Sequence, residues 1–295
     1  MGKFRLRGRW RKNREPRQGS VPLRAVVPNL VTSLAACCGI ASISLSSEGR
    51  FGEALVALLI AAVCDGMDGR IARLLKASSK LGAELDSLAD FVNFGVAPAM
   101  FMYYWVTGGP THVGCDPKVV RMVLGCALFY AMCDCFRLAR FNTMLEQEPL
   151  PYWKSYFTGI PAPGGCWMVL TPAILVVDCA SWLETLHVPA VVVSALKSPA
   201  CGMFMLLFVG TLMASRLPTI SLKAIHLHGK RQVQLFMVIA LLLVVGLVSD
   251  TWLTLGVLGI LYFLTVPLTG LCFLRSRAKY EREVLAASDK PQIGA

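Results

Sequence analysis

The sequence predicts an all-α protein, a polytopic membrane helical bundle of about eight transmembrane helices. Three observations carry this expectation. Of 295 residues, 55% are apolar and only 16% charged, well below the roughly 25% charge of a soluble domain. Eight stretches approach the ~20 apolar residues that a spanning helix needs: 28–47, 51–75, 83–107, 119–141, 157–178, 198–215, 232–249 and 251–273. The third observation is where the 29 Lys and Arg fall. With both termini cytoplasmic and eight alternating helices, only Arg50, Lys118, Arg121 and Lys197 lie on the far side. That asymmetry is the positive-inside rule, and it links orientation to helix parity.

Taken in order, residues 1–27 form a basic cytoplasmic arm (Arg5, Arg7, Arg9, Arg11, Lys12, Arg14) that either sets orientation alone or also attracts anionic lipid heads. The net charge of +11 is accounted for in this way, and nucleic acid is not an expected partner. Leu34-Ala35-Ala36-Cys37 has the look of a lipoprotein cleavage box. The apolar run continues through Ile43, however, as a spanning helix would and a signal peptide would not. Residues 28–273 read as one transmembrane unit and 274–295 as a polar cytoplasmic tail. The sixth stretch is short and the last two are nearly continuous, so seven spans is the alternative count. The fifth opens irregularly at Gly159-Ile160-Pro161-Ala162-Pro163-Gly164-Gly165, either a cavity wall or a plain helix entry. The eleven cysteines contain no Cys-x-x-Cys pair and read as apolar packing residues. His226 and His228 read as solvated loop residues.

The chemistry lies where the second span ends and the third begins, CDGMDGRIARLLKASSKLGAELDSLAD, residues 64–90. An acid at the centre of a spanning helix costs about 2.5–3.5 kcal/mol, so four nearby aspartates require compensation and mark function. At 100° per residue, Asp65, Asp68, Gly69 and Ala72 fall within an arc of about 100°. Asp86 and Asp90 are i, i+4 partners on the next helix. A turn near Ser78 puts both pairs roughly 12–20 Å along their helices, at similar depth and facing the cytoplasm. Gly69, Ala72 and Gly82 lack bulky side chains, so either the helices approach closely or a ligand reaches the backbone. Four converging carboxylates call for a hard divalent cation, Mg²⁺ or Mn²⁺, shared with substrate phosphates. The bland alternative is ion pairing with Arg70, Arg73 and Lys76, which could serve two acids but hardly four on one seam.

The spacing Asp65-x₂-Asp68-Gly69-x₂-Ala72-Arg73-x₈-Gly82-x₃-Asp86-x₃-Asp90 resembles the complete signature of the CDP-alcohol phosphatidyltransferases. The resemblance implies metal binding by Asp65, Asp68 and Asp86, with Asp90 as a metal neighbour or general base. It also implies contacts to the CDP moiety from Gly69, Ala72, Arg73 and Gly82. On the first span, Asn29 and Thr32 either hydrogen-bond the CDP-lipid or link helices. The implied reaction is attack of an alcohol on the lipid-side phosphorus of CDP-diacylglycerol, with CMP leaving.

Further stretches narrow the alcohol. Asp86-Ser87-Leu88-Ala89-Asp90-Phe91-Val92-Asn93-Phe94-Gly95-Val96-Ala97-Pro98-Ala99 and Phe136-Arg137-Leu138-Ala139-Arg140-Phe141-Asn142 are similar to segments of membrane-integral phosphatidylserine synthases. So are Pro28-Asn29-Leu30-Val31-Thr32 and Ser215-Arg216-Leu217-Pro218-Thr219. L-serine is then the expected acceptor and a bacterial cytoplasmic membrane the expected host. Arg137, Arg140 and Arg216 are candidates for an acceptor carboxylate or lipid phosphate, against a topological role in which Asp134 pairs with Arg137. Membrane lipids are expected partners, and a homodimer is allowed. The rival within the class is another acceptor, glycerol 3-phosphate or inositol phosphate. The rival from another class is a divalent-cation transporter, disfavoured because all four acids cluster toward one face.

Overall fold

The computed structural model describes residues 23–77, 79–112, 114–144, 156–177, 189–215, 218–220, 230–266 and 269. Most of the basic arm, the C-terminal tail, Arg216, His226 and His228 lie outside the described residues. Within them the fold is helical, with one short antiparallel pairing.

Helix α1 (Leu23–Ser47) and helix α2 (Phe51–Leu74) make the most extensive contact in the molecule. Their connection is tight because Gly49 adopts φ +79°, in the left-handed region. Arg50 pairs with Glu48 and Glu53 at that turn. Helix α2 stops in a Schellman motif: Ala77 N–H donates to the Ala72 carbonyl (2.9 Å) and Lys76 N–H to that of Arg73 (3.2 Å). Lys76 occupies the left-handed position at φ 49°. Ser79 then caps helix α3 (Lys80–Asp90), its Oγ accepting from Gly82 N–H at 3.0 Å.

The third predicted span is one continuous helical path that changes type within it. It is α-helical to Asp90, π-helical over Phe91–Val96, and α-helical again as α4 (Ala97–Val106). Helix α5 (Pro117–Met144) returns along it. Then come α6 (Ala162–Val177), α7 (Ala190–Leu196), α8 (Pro199–Ala214), α9 (Lys230–Ser249) and α10 (Thr251–Val266). The sheet is two strands, β1 (Tyr156–Thr158) against β2 (Pro218–Ile220).

The core lies among α4, α5, α6 and α8, where Phe101, Met102, Tyr130, Met168, Leu206 and Met213 are fully buried. Helix α8 comes close at two glycines: a Cβ on Gly202 would sit 2.7 Å from Val106, and one on Gly210 3.2 Å from the Tyr130 backbone. Arg140 fastens the end of α8 to α5. Its Nη1 donates to the Ala214 carbonyl (2.9 Å) and its Nη2 to that of Ser215 (3.0 Å), satisfying carbonyls that a helix C-terminus leaves open.

Outward faces are apolar. Leu34, Leu242 and Val248 are 55%, 65% and 83% exposed, a surface that suits lipid and not water. The chain is a membrane protein. By length and composition, Val26–Ser47 and Pro117–Thr143 are each able to cross a bilayer. The pair α7 and α8, bent by 53°, makes a third if it is one span. The full set of eight is not met by this measure. Helix α2 is long enough, but Glu53, Asp65, Asp68, Arg70 and Arg73 dilute its apolar run. The third span carries Glu84, Asp86 and Asp90 and changes helix type at the π segment, so that neither α-helical part reaches a full crossing, while α6 and α10 are shorter than one.

Candidate active site

The four aspartates converge as their spacing implies. Carboxylate oxygens of Asp65, Asp68 and Asp86 lie within 4.8 Å of one another. Asp90 is within hydrogen-bonding reach of Asp65. Asp68 is buried and the other three half-buried. Among the described residues, the ion pairs join Arg50 to Glu48 and Glu53 and Arg137 to Asp134, and none involves these four acids. Arg73 instead turns back along its helix, Nε donating to the Gly69 carbonyl at 3.0 Å. The arrangement thus differs from interhelical ion pairing. It is a set of oxygen donors with the chemistry to hold a hard divalent cation.

Helices α2 and α3 scarcely touch; α1 packs against both and closes the space between them. A cavity of about 170 Å³ remains, walled by Asn29, Thr32, Asp68, Gly69, Gly82 and Asp86 together with Pro28, Ala72, Ser79 and neighbours. The two options for the small residues are thereby separated. A Cβ on Gly69 would meet nothing within 4 Å, so Gly69 exposes backbone to the cavity. Gly82 faces α1 closely, where a Cβ would sit 3.0 Å from Asn29 Oδ1. Thr32, 4% exposed, brings its hydroxyl 2.5 Å from Asp68 Oδ2 and 3.1 Å from the Pro28 carbonyl. That hydroxyl orients a carboxylate while leaving its other oxygen available. Of the residues expected around CDP, Asn29, Thr32, Gly69, Ala72 and Gly82 share this cavity, and Arg73 is not among its walls.

Pro28, Ala77, Ser79 and Ala83 also line the cavity, and their spacing alone does not place them there. Ser79 carries a legible signal, a serine three residues before Gly82 at the start of a helix. On the acceptor side, Arg137 Nε contacts Oδ1 of the fully buried Asp134 at 3.2 Å. Its guanidinium is one of the charges felt by Asp90. Arg140 is directed to the end of α8 instead.

A second cavity, about 330 Å³, lies along the earlier turns of α2, on the N-terminal side of Asp65. Its walls are apolar, including Leu55, Leu59, Val63, Phe94, Trp167 and Trp252. Pro163 and Cys166, in the first turns of α6, are also in its lining, so of the segment 159–165 it is a helical residue that reaches a cavity. Trp167 Nε1 donates to the Leu255 carbonyl at 3.0 Å and holds α10 against α6.

The family pattern described as CDP-alcohol phosphatidyltransferase matches residues 25–196, and that described as CDP-alcohol phosphatidyltransferase 2 matches residues 232–267. Among curated proteins, the CDP-diacylglycerol–serine O-phosphatidyltransferase of Mycobacterium leprae is 40% identical over 146 residues, 49% of this chain and 45% of that protein. The protein of the same name from Helicobacter pylori is 36% identical over 152 residues, 52% of this chain and 56% of its own length. That of Bacillus subtilis is 34% identical over 147 residues, 49% of this chain and 75% of its own length. The chain therefore spans about half the length of the mycobacterial and Helicobacter relatives. With the signature acids gathered at one site and more than half the chain matched, the protein belongs to the CDP-alcohol phosphatidyltransferase family.

Proposed function

We propose that this chain transfers the phosphatidyl group of CDP-diacylglycerol to the hydroxyl of L-serine, giving phosphatidylserine and CMP. The observation that carries the reading is the convergence of Asp65, Asp68 and Asp86 beside a cavity walled by the signature's small residues. Serine is supported by the relatives, which bear the name of the serine-specific enzyme.

Asp65, Asp68 and Asp86 would hold Mg²⁺ or Mn²⁺. Bound there, it would supply charge neutralisation at the diphosphate and at the departing CMP. Asn29, Thr32, Gly69, Ala72 and Gly82 shape the space for the CDP moiety, with Gly69 admitting a phosphate against backbone. Asp90 receives the proton of the serine hydroxyl. The serine oxygen then bonds to the lipid-side phosphorus, and the bond from that phosphorus to the CMP oxygen breaks. The neighbouring apolar cavity suits the acyl portion of the same lipid. The expected topology, eight spans with the site and both termini cytoplasmic, belongs to this reading, as do the boundaries 1–27, 28–273 and 274–295.

Glycerol 3-phosphate and inositol phosphate are the alternatives within the class. A phosphorylated acceptor needs several cations, and Arg140 is already committed to the carbonyls ending α8. The decisive assay supplies the full chain in lipid with CDP-diacylglycerol, a divalent metal and one acceptor at a time. Serine-dependent CMP release, abolished by chelation, is the expected result. Release with glycerol 3-phosphate and none with serine would overturn the acceptor, and release without metal would overturn the mechanism.

A further inference from the structure

The change of helix type immediately after Asp90 has a physical cost and needs a cause. An i→i+5 turn holds one more residue than an α-turn, is rare, and occurs mainly at functional sites. Here the backbone stays in the right-handed helical region throughout, from Asp90 (φ −54°, ψ −48°) to Ala97 (φ −63°, ψ −47°). The Ala97 N–H reaches back to the Val92 carbonyl. One inserted residue rotates the helix on its N-terminal side by about 100° relative to the helix on its C-terminal side. The C-terminal helix is α4, whose Ala97, Ala99, Phe101 and Met102 are locked in the core. The N-terminal helix is the half-exposed α3, carrying Asp86 and Asp90.

The residues at the centre of the π segment are packed closely against α1 and α5, and Phe94 is also hydrogen-bonded. Tyr130 of α5, wholly buried, donates its hydroxyl to the Phe94 carbonyl at 3.0 Å. Gly95 lies under Asp134, where a Cβ would sit 2.8 Å from Oδ2. Asn93 lies against α1 at Gly39, where a Cβ would sit 2.2 Å from its Oδ1. On the other side of Asp90, Asn142 of α5 donates to Ser87 Oγ at 3.1 Å. Helix α5 thus grips the segment both before and after the acid.

We infer that the π-helical turn Phe91–Val96, held by the Tyr130–Phe94 hydrogen bond, is the device that aims Asp86 and Asp90 at Asp65 and Asp68. Tyr130 is a positioning residue: it lines neither cavity and acts through the backbone of Phe94. In an uninterrupted α-helix with α4 kept in the core, the two acids would turn away from α2 by about a quarter turn. The inference rests on the roles proposed for Asp86 and Asp90 in phosphatidyl transfer.

The test uses the full chain in lipid vesicles and two variants, assayed well below their melting temperatures. Tyr130→Phe keeps the ring and removes the hydroxyl. Its kcat should fall about threefold to tenfold, the loss expected of one hydrogen bond, with KM for CDP-diacylglycerol and for serine within about twofold. Deletion of Val92 removes the extra residue of the π-turn. It should abolish CMP release and weaken Mn²⁺ binding about tenfold or more, because Asp65 and Asp68 remain while Asp86 leaves. A Tyr130→Phe variant with lowered melting temperature but unchanged kcat would reduce Tyr130 to a packing residue and overturn the inference. So would a folded Val92-deletion variant with full turnover. If the deletion variant does not fold, the kcat-against-KM split of Tyr130→Phe decides alone. Failure of the underlying reading registers separately, as absence of serine-dependent CMP release by the unaltered chain.

Discussion

The two cavities along α2 share that helix and little else. The first is walled by Asp68, Asp86, Asn29, Thr32, Ser79 and residues without bulk. The second is walled by leucines, Val63, Phe94 and two tryptophans. Helix α2 serves both: Leu55, Leu58, Leu59, Ala62 and Val63 line the apolar space, and Asp68, Gly69 and Ala72 line the polar one. The polarity changes within one turn and a half of helix, at the level of Asp65. Under the proposed function, the two spaces would hold the charged group and the chains of one amphiphile on either side of the reacting bond. In that reading, small residues and carboxylates would leave room and oxygens for a charged ligand and its ion, and large apolar side chains would surround the acyl chains.

The polar cavity should suffer most from loss of the proposed metal or of one of its proposed ligands. Chelation, or Asp68→Asn, should lower CMP release by about 10³-fold or more, and Mn²⁺ binding should be lost in parallel. Next is Asp90→Asn, which should retain CDP-lipid and Mn²⁺ binding yet lose about 10²- to 10⁴-fold in kcat, measured by CMP release against lipid binding. Wild-type rates in that variant would remove Asp90 as the proton acceptor. Gly69→Val places a side chain in open space within the polar cavity. It should raise KM for CDP-diacylglycerol about tenfold while leaving the melting temperature nearly unchanged. Ala62→Phe fills the other cavity, so its effect should depend on the chains: a several-fold loss with long-chain CDP-lipid and little with a short-chain analogue. The smallest effect on turnover is expected from Arg140→Ala, away from both cavities. It should lower stability by about 1–3 kcal/mol through the orphaned carbonyls of Ala214 and Ser215, read as a fall in melting temperature with KM for serine unchanged. A raised serine KM at full stability would return Arg140 to the acceptor site.

Much of the site was legible in residue type and spacing. Acids placed three or four apart on two consecutive helices have few alternatives to facing one another, and Asp65, Asp68 and Asp86 do so. The roles of the small residues were legible only as a pair of options. Gly69 proved to face open space and Gly82 to face Asn29, a distinction that depends on α1, a helix far from both in the chain. The arginines of the fourth span show the limit more sharply. Arg137 and Arg140 are equivalent in the sequence, one turn apart at one helix end. Only the packing of α8 draws Arg140 to the carbonyls of Ala214 and Ser215 and leaves Arg137 with Asp134 near Asp90.

Residue types and spacing alone were enough for the class of molecule and for the place of the candidate site: apolar runs favour helices in lipid, and costly carboxylates within them call for a compensating cation. They could not determine the helix type after Asp90. Phe91-Val92-Asn93-Phe94-Gly95-Val96 satisfies its backbone equally well as an α-helix, since both patterns close their own hydrogen bonds. The π-turn is decided by partners remote in sequence, Gly39 on α1 and Tyr130 and Asp134 on α5, whose contacts exist only once the bundle has assembled.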